Sequence, residues 1–367
     1  MRQPSLYETL GVLAERLECG PGGPPEVYDW FGGAGGFSEG ARQAGYRVVW
    51  VCDNDPLALK THAANHPQTE HRLAELPLPR ARWPFPTDGR AFHTHFSPPC
   101  QKFSQLSVSN GGAEDRAHAT NLIEWSLQTA LSSGATTWSL EQVATPPVLK
   151  VLERARVRYP GRVAYAKLDF SMLGVPQRRV RLIAGPPALV SRLVRQCSVA
   201  KARSVRSAIP LPRGTHVRNG SGWVRRWRGS NGRWCYQKAK WSDSCHAVDG
   251  PSPTVLSDRG MNWVTRTSSG CASEHPRLRK GEYAALQTFP PTYRWPEAEQ
   301  LALKQIGNAV PPLVARLLLE AAPPPTPASP SLRRAPATPR WPQPHSRARF
   351  DPDTRVATGG NANGAAG

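Results

Sequence analysis

The 367-residue chain has no Cys-x-x-Cys pair, no apolar run long enough to span a membrane, and comparatively few acidic residues. Its seven cysteines are odd in number and widely spaced, which is typical of neither a zinc site nor a disulfide framework. Cysteines with no disulfide pattern are typical of proteins in a reducing compartment. The N-terminus also lacks the apolar core of a secretory signal. We therefore expect an intracellular protein, in the cytoplasm or nucleoid, with no metal and no membrane partner.

Positive charge is in large excess along the chain. There are 47 Lys and Arg against 27 Asp and Glu, which gives a formal net charge of +20. The excess is concentrated, since residues 192–240 contain 13 Lys and Arg and no acidic residue. A basic segment of this kind is typical of a protein whose partner is a polyanion, most often nucleic acid.

Strand and helix patterns alternate from residue 26 to residue 185. Strands are expected at Val27–Phe31, Arg47–Cys52, Phe92–Phe96, Thr136–Val143, Val163–Asp169 and Val180–Ala184. Helices are expected at Ser38–Ala44, Pro56–Asn65, Thr120–Leu131 and Pro147–Arg158. This alternation predicts an α/β fold with a doubly wound, mostly parallel sheet.

The remaining segments differ from this region in composition. Residues 1–25 are interpreted as a short leader, and residues 186–276, which are rich in Arg, Gly and Trp, as a smaller irregular domain. Helical periodicity returns within residues 277–320, at Arg279–Leu286 and Val310–Leu319, and predicts that this segment packs back onto the first domain. Residues 321–367 are proline-rich and are expected to be a disordered tail, because they cannot bury enough apolar surface.

A glycine-rich segment, Asp29–Phe37, follows the first predicted strand and leads into the first predicted helix. Its glycines Gly33, Gly35 and Gly36 permit a tight turn and the close approach of a ligand. Asp53 follows the next strand, 18 residues after Gly35, where nucleotide-binding folds place a carboxylate that accepts ribose hydroxyls. The pattern is not Gly-x-Gly-x-x-Gly, so S-adenosylmethionine fits this loop better than a pyrophosphate cofactor such as NAD.

Cys100 follows a predicted strand at the point where that strand must end. Phe92–Phe96 alternates bulky and polar residues, and Pro98 and Pro99 prevent its continuation. Cys100 is thereby expected at the carboxyl edge of the sheet, where open α/β folds bind their ligands. A single cysteine is more often a buried structural residue than a nucleophile, so this position alone leaves both roles open.

Six short motifs occur in order between residues 26 and 320. They are Phe31–Gly36 (FGGAGG), Pro99–Ser104 (PCQKFS), Glu141–Val143 (EQV), Gln177–Arg181 (QRRVR), Glu282–Pro290 (EYAALQTFP) and Gly307–Pro312 (GNAVPP). Together they resemble the DNA (cytosine-5)-methyltransferase family, whose FxGxGG, PCQxFS, ENV, QRRxR, LQTFP and GNAVPP motifs stand in the same order. The resemblance implies the class I S-adenosylmethionine-dependent methyltransferase fold. By position, residues 186–276 resemble the family's target-recognition domain.

The resemblance implies a site built from these motifs and from the end of the second predicted strand. Catalytic roles fall to Cys100, Glu141, Arg179 and Arg181. Contacts with the cofactor, S-adenosyl-L-methionine, fall to Phe31, Gly33, Gly35, Gly36, Asp53, Asn54, Pro99, Asn308 and Val310. Contacts with the substrate fall to Gln101 and Ser104.

The implied reaction transfers a methyl group to C5 of cytosine in a specific double-stranded DNA sequence. The Cys100 thiolate adds to C6 of a flipped-out cytosine, which makes C5 nucleophilic. Glu141 holds a proton at N3 and the exocyclic N4, Arg181 binds O2, and Arg179 orients Glu141 or a phosphate. Asn308 has an alternative role as the N-cap of the apolar helix that follows it.

Three positions depart from the family pattern. Gln142 stands where the family has asparagine, and its extra methylene could shift Glu141 or reshape the methyl-donor pocket. Because Cys100, Glu141, Arg179 and Arg181 are all present, we expect that the protein has adapted to this glutamine. Asn54 stands where a large apolar residue would pack against adenine. The acid expected to contact the adenine amine has no clear match, and Glu75 is the candidate.

Other functions remain open from the sequence. The same chemistry could act on RNA, although the Cys-Phe-Thr element of the tRNA-methylating branch does not occur in the chain. The chain could also be a catalytically silent DNA-binding homologue, although it retains Cys100, Glu141 and Arg181. A methyltransferase could in turn act alone or together with a cognate restriction endonuclease.

Overall fold

The computed structural model describes residues 23–99, 113–199, 202–212, 214–219, 226–228, 234–236, 245–257, 261–266 and 272–323. The main strands are β1 (Glu26–Trp30), β2 (Arg47–Asp53), β3 (Glu70–Leu73), β4 (Phe92–Phe96), β5 (Thr137–Val143), β6 (Ala164–Asp169) and β7 (Val180–Gly185). They form a seven-stranded sheet in the order β3-β2-β1-β4-β5-β7-β6. The first five strands in this order are parallel, whereas β7 runs antiparallel to β5 and to β6. The predicted doubly wound, mostly parallel sheet is therefore confirmed.

Helices cover both faces of this sheet. They are α1 (Gly36–Gln43), α2 (Pro56–Asn65), α3 (Ala113–Ser132), α4 (Pro146–Arg158), α5 (Pro187–Val199), α6 (Lys280–Leu286), α7 (Glu299–Asn308) and α8 (Pro312–Ala321). The helices α3 and α4 pack on one face, in a core that includes Trp30 and Phe96. The helices α1, α5 and α8 pack on the other face, around Phe37 and Phe170. Among the described residues, no helix has both the length and the apolar character needed to cross a membrane.

Local sequence signals set several of the helix starts. Prolines stand in the first turn of α2, α4 and α8, where the missing amide hydrogen costs no helical hydrogen bond. Asp55 caps α2, because its Oδ1 accepts from the backbone N–H groups of Leu57 and Ala58 over 2.9 and 3.2 Å. These signals explain why the predicted bounds of α2 agree with the structure and why the start of α4 differs by a single residue.

A smaller β-rich unit follows the main sheet. Its strands are β8 (Thr215–Asn219), β9 (Arg226–Arg228), β10 (Trp234–Tyr236), β11 (Cys245–Ala247), β12 (Met261–Arg266) and β13 (Ala272–Arg277). An antiparallel sheet has the order β11-β8-β12-β13, and β9 pairs with β10. Val217 and Met261 share a core with Tyr283 of α6 and Ile306 of α7. The smaller unit is therefore anchored on the segment that returns to the main sheet.

The structure departs from the predicted organisation at four elements. The strand β3 and the helix α7 lie where the sequence pattern predicts no element. The helix α5 lies within the segment assigned to the smaller domain, yet its residues Leu189 and Leu193 pack in the core of the main sheet. The helix α8 passes the predicted boundary at residue 320, and Ala322 beyond it is also buried. Residues 1–22 of the expected leader and 324–367 of the expected tail lie outside the described residues.

Candidate active site

The candidate site lies at the carboxyl edge of the parallel strands β1, β2, β4 and β5. In the register of the sheet Trp30 lies opposite Phe96, and Phe96 lies opposite Leu140. Cys52 of β2 lies opposite Trp30 on its other side. The loops that follow these strands therefore begin at the same level and meet at one edge, which is where open α/β sheets bind their ligands.

Phe31 leaves β1 in an unusual backbone conformation. Its φ of 62° lies in the left-handed region, which is uncommon for a residue other than glycine. Its carbonyl accepts a hydrogen bond from Ser97 Oγ over 3.1 Å, and its ring packs edge to face on Trp125 with 6.3 Å between the ring centroids. These contacts hold the strained residue at the entrance of the glycine loop.

The glycines of the loop serve two different purposes. Gly33 and Gly35 have φ values of 54° and 95°, which favour glycine. A Cβ on Gly33 would meet no atom within 4 Å, whereas a Cβ on Gly35 would lie 2.6 Å from the Tyr293 hydroxyl oxygen. A Cβ on Gly36 would lie 2.2 Å from the Val310 carbonyl oxygen. Gly35 and Gly36 therefore make room for the packing of the protein itself, and Gly33 borders open space.

Asp53 ends β2, and its carboxylate holds the glycine loop. Its Oδ2 accepts from the Gly33 backbone N–H and its Oδ1 from the Asp55 backbone N–H, each over 2.8 Å. Burial raises the pKa of this carboxyl group, and the backbone hydrogen bonds oppose that shift. Each oxygen still has a lone pair for a further donor, which is the capacity that a ribose diol needs. The neighbouring Asn54 is exposed.

Glu141 and Arg181 form an ion pair at the ends of the neighbouring strands β5 and β7. Arg181 Nε lies 3.0 Å from Glu141 Oε1, and both side chains are mostly buried. The two groups are close but are not aligned as a hydrogen bond, and the described residues supply no hydrogen-bond partner for Oε1. A buried carboxylate oxygen in this state can accept a hydrogen bond from a ligand.

Arg179 is buried just before β7 and contacts the backbone of distant segments. Its guanidinium nitrogens lie 3.2 Å from the carbonyl oxygens of Val255 and Gly307. The expected role of orienting Glu141 is better supported for Arg181, because Arg181 is the residue paired with that carboxylate. Arg179 ties the start of β7 to the smaller unit and to the end of α7.

Two glutamines of the motifs extend this connection. Gln177 Nε2 donates to Gln287 Oε1 over 2.6 Å, and Gln177 Oε1 accepts from the Val255 backbone N–H over 3.0 Å. Gln287 Nε2 donates in turn to the Ile306 carbonyl over 2.7 Å. Both glutamine side chains are completely buried, so their contribution in this structure is to join segments that are far apart in sequence.

Gln142 is completely buried and links the end of β5 to the segment that follows β4. Its Nε2 donates to the Pro98 carbonyl over 2.9 Å, and its Oε1 accepts from the Val143 backbone N–H over 2.7 Å. The long side chain is thus directed to the Pro98 carbonyl. Glu141 beside it keeps its ion pair with Arg181.

The segment that carries the predicted nucleophile begins at the same edge. Pro99 is exposed and is the last described residue before this segment. Cys100, Gln101 and Ser104 lie outside the described residues, so their roles stay predictions. What the structure provides is the anchoring of the Pro98 backbone, two residues before Cys100.

The Gly307–Pro312 motif packs beside the glycine loop. Asn308 is exposed and is the last residue of α7, whereas α8 begins at Pro312 after a different N-cap residue. The alternative role of Asn308 as an N-cap is therefore wrong. Val310 is buried, and its carbonyl oxygen is the atom that a Cβ on Gly36 would strike. The motif therefore packs directly against the glycine loop, and the cofactor roles of Asn308 and Val310 stay predictions.

A buried polar chain beneath the glycine loop has no counterpart in the sequence-based predictions. Ser38 Oγ donates to Asp29 Oδ2 over 2.7 Å, and His62 Nε2 lies 3.0 Å from Ser38 Oγ. His62 Nδ1 lies 2.8 Å from His71 Nε2. Burial raises the pKa of Asp29 to about 7 and lowers the pKa of both histidines. Asp29 opens the loop motif, but no local pattern pairs it with histidines of α2 and β3.

Comparison with protein families and curated proteins identifies related sequences. A family model described as C-5 cytosine-specific DNA methylase matches residues 26–124 and 206–322. The chain is 26% identical over 312 residues to the Type II methyltransferase M.HgiDI of Herpetosiphon aurantiacus, which covers 78% of this chain and 90% of that protein. It is 34% identical over 90 residues to the Type II methyltransferase M.AgeI of Thalassovita gelatinovora, which covers 23% of this chain and 18% of that protein.

Solved structures share the architecture at low sequence identity. A prophage-encoded E. coli protein assigned as a DNA modification methyltransferase superposes with a TM-score of 0.56 at 20% identity, covering 81% of this chain and 98% of that chain. The Dnmt2 methyltransferase of S. pombe superposes with a TM-score of 0.54 at 16% identity, covering 81% and 97%. At these identities the likeness shows the fold. Among the described residues, no cluster of three or more His, Cys, Asp or Glu side chains is arranged to hold a metal ion.

Proposed function

The chain belongs to the C-5 cytosine-specific DNA methylase family, and we propose that it methylates C5 of cytosine in a specific DNA sequence through a covalent adduct with Cys100. The observation that carries the proposal is the buried Glu141–Arg181 ion pair, which joins the carboxyl end of β5 to the amino end of the antiparallel β7, beside the segment that leads to Cys100. A carboxylate held in this way, with an oxygen open to a further donor, suits recognition of the polar edge of a cytosine.

S-adenosyl-L-methionine is the proposed methyl donor, and the residues at the sheet edge fit it. The open space beside Gly33 and the spare acceptor capacity of Asp53 suit an adenosine with its ribose diol. Exposed Glu75, just beyond β3, is the proposed contact for the adenine amine. When bound, the cofactor supplies an electrophilic methyl group on sulfur. The other proposed contacts are Phe31, Gly35, Gly36, Asn54, Pro99, Asn308 and Val310.

The proposed chemistry uses three side chains on the base. Cys100 Sγ forms a bond to C6, and the electron pair of the C5=C6 bond moves to C5, which takes the methyl group. Glu141 holds a proton at N3 and the exocyclic N4, and Arg181, which orients Glu141, also binds O2. Loss of the C5 proton to water restores the C5=C6 double bond and expels the Cys100 thiolate.

Access to C6 requires that the cytosine leave the duplex stack, at a cost of a few kcal/mol. The basic segment 192–240, which enters the smaller β-rich unit, is proposed to hold phosphates on both sides of the flipped nucleotide. Gln101 and Ser104 are proposed to contact the substrate strand. The Type II assignment of the two related proteins supports a fixed recognition sequence, methylated by the protein alone or in partnership with a restriction endonuclease.

The decisive experiment replaces Cys100 and follows methyl transfer from labelled S-adenosylmethionine. Cys100→Ser is expected to abolish transfer while cofactor binding persists, because a hydroxyl is far less ionised and less nucleophilic at neutral pH. Cys197→Ser is the matched control, since this free thiol lies on α5 and its activity is expected to match the wild type. DNA that contains 5-fluorocytosine is expected to form a denaturation-resistant adduct with the wild type and none with Cys100→Ser.

Each alternative function has its own outcome in this experiment. Near wild-type labelling of DNA by Cys100→Ser would exclude the covalent mechanism. No transfer by the wild type to any DNA, together with DNA binding, would identify a catalytically silent homologue. Labelling of RNA in preference to DNA would contradict the substrate class, which the family match favours as DNA. Bisulfite sequencing of DNA from expressing cells then gives the recognition sequence.

A further inference from the structure

The Gln142 side chain connects the segment after β4 to β5 at the level where the backbone hydrogen bonds between these two strands end. Within the sheet Phe96 lies opposite Leu140, so the same register places Pro98 opposite Gln142. Pro98 has no backbone N–H and ends strand pairing. At this level the Gln142 side chain supplies a donor, and its Nε2 lies 2.9 Å from the Pro98 carbonyl oxygen.

Both ends of the Gln142 amide are engaged, which defines its orientation. The Oε1 atom accepts from the Val143 backbone N–H over 2.7 Å while Nε2 donates to Pro98. The side chain is completely buried, and Pro98 is buried as well. A buried amide that is satisfied at both ends is held in one geometry, because releasing either bond leaves a polar atom without water.

The consequence concerns how two chain segments of the proposed site are joined. Gln142 directly follows Glu141 in β5, and Pro98 stands two residues before Cys100. One side chain therefore connects the strand that carries the carboxylate to the backbone that leads to the nucleophile. Asparagine is shorter by one C–C bond, about 1.5 Å, and cannot span the same gap without movement of the backbone.

We propose that Gln142 is a positioning residue: it fixes the Pro98 backbone, two residues before Cys100 in the chain, against the strand that carries Glu141. This inference rests on the proposed role of Cys100 as the nucleophile. Gln142 itself touches neither the base nor the cofactor in this scheme, so its loss acts on the rate of the chemical step and leaves both binding equilibria in place.

The test compares Gln142→Met and Gln142→Asn with the wild type in single-turnover methylation. Methionine keeps the length of the side chain without the amide, and asparagine keeps the amide without the reach. We expect the rate at saturating DNA and cofactor to fall at least tenfold for Gln142→Met and less for Gln142→Asn. The cofactor Kd and the DNA KM are expected to stay within about twofold. The rate of Cys100 alkylation by iodoacetamide against pH, read by mass spectrometry, is expected to change for both variants.

Gln305→Met is the matched control for the loss of a buried glutamine amide. Gln305 Nε2 donates to the Leu57 carbonyl over 3.1 Å, so this variant loses a comparable bond on the helix α7. Its melting temperature is expected to fall while the methylation rate and the alkylation profile of Cys100 stay as in the wild type. A wild-type rate and alkylation profile for Gln142→Met would overturn the inference, as would an equal loss of rate in Gln305→Met. If Cys100→Ser stays active, the proposed function fails instead, independently of the Gln142 variants.

Discussion

Replacement of Asp29 by asparagine is expected to change how stability depends on pH. Asp29 is completely buried, its Oδ2 accepts from Ser38 Oγ over 2.7 Å, and its Oδ1 has no hydrogen-bond partner among the described residues. Desolvation is the main cause that raises the pKa of Asp29 from 3.8 to about 7. The Ser38 hydrogen bond opposes the shift, and the charge of Asp53 adds to it.

The sign and the size of the effect follow from linkage. Between pH 3.8 and about pH 7 the unfolded chain releases the Asp29 proton while the folded chain retains it, so stability falls as the pH rises. The complete decrease in the free energy of unfolding corresponds to about 4 kcal/mol, of which about 3 kcal/mol is lost between pH 5 and pH 8. The asparagine of the variant has no proton to lose, and its carbonyl oxygen keeps the acceptor for Ser38. The free energy of unfolding of Asp29→Asn, taken relative to that of the wild type, should therefore increase by about 3 kcal/mol between pH 5 and pH 8.

Urea unfolding followed by tryptophan fluorescence at a series of pH values measures this difference. The histidines His62, His66 and His71 titrate in both proteins and largely cancel when the two curves are subtracted. The control is Asp88→Asn. Asp88 is exposed and paired with Arg90, and this pairing keeps the pKa of the Asp88 carboxyl group below its usual value. Its difference from the wild type should stay constant above pH 5. A constant difference for Asp29→Asn as well would refute the assignment of a raised pKa to this buried carboxyl group.

Two further substitutions test the glycine loop. Asp53→Ala should weaken S-adenosylmethionine binding by about 1.5–3 kcal/mol in calorimetry. The substitution removes a charged acceptor from the proposed ribose contact and leaves the Gly33 N–H without its acceptor. An unchanged affinity would mean that another group binds the ribose. Gly36→Ala should lower the free energy of unfolding by about 1–3 kcal/mol, because its Cβ would lie 2.2 Å from the Val310 carbonyl oxygen. Gly281→Ala, in α6 with no atom within 4 Å, is the control, and an equal effect of both alanines in thermal unfolding would contradict this packing argument.

Several features of this protein are determined by short stretches of sequence. The strand β4 and the helix α2 have the bounds that their own residues predict, because alternation, capping and proline at a helix start act over only a few residues. The edge that carries Asp53 and Glu141 follows from the same logic, since parallel strands bring their carboxyl ends together. The order of the motifs along the chain indicated the family, which the family match then confirmed.

The partners of the buried polar groups were decided only by the tertiary structure. Arg179 contacts Val255 and Gly307, which are remote in sequence, and Arg181 pairs with Glu141 only because β7 lies antiparallel beside β5. The helix α5 packs on the main sheet because its apolar face meets the core of that sheet, although the second half of the helix belongs to the basic segment. Local sequence patterns determine the type of a helix or strand, through its hydrophobic period, and the residues at which it begins and ends. The choice among distant partners depends on which register and which packing satisfy all buried groups at once.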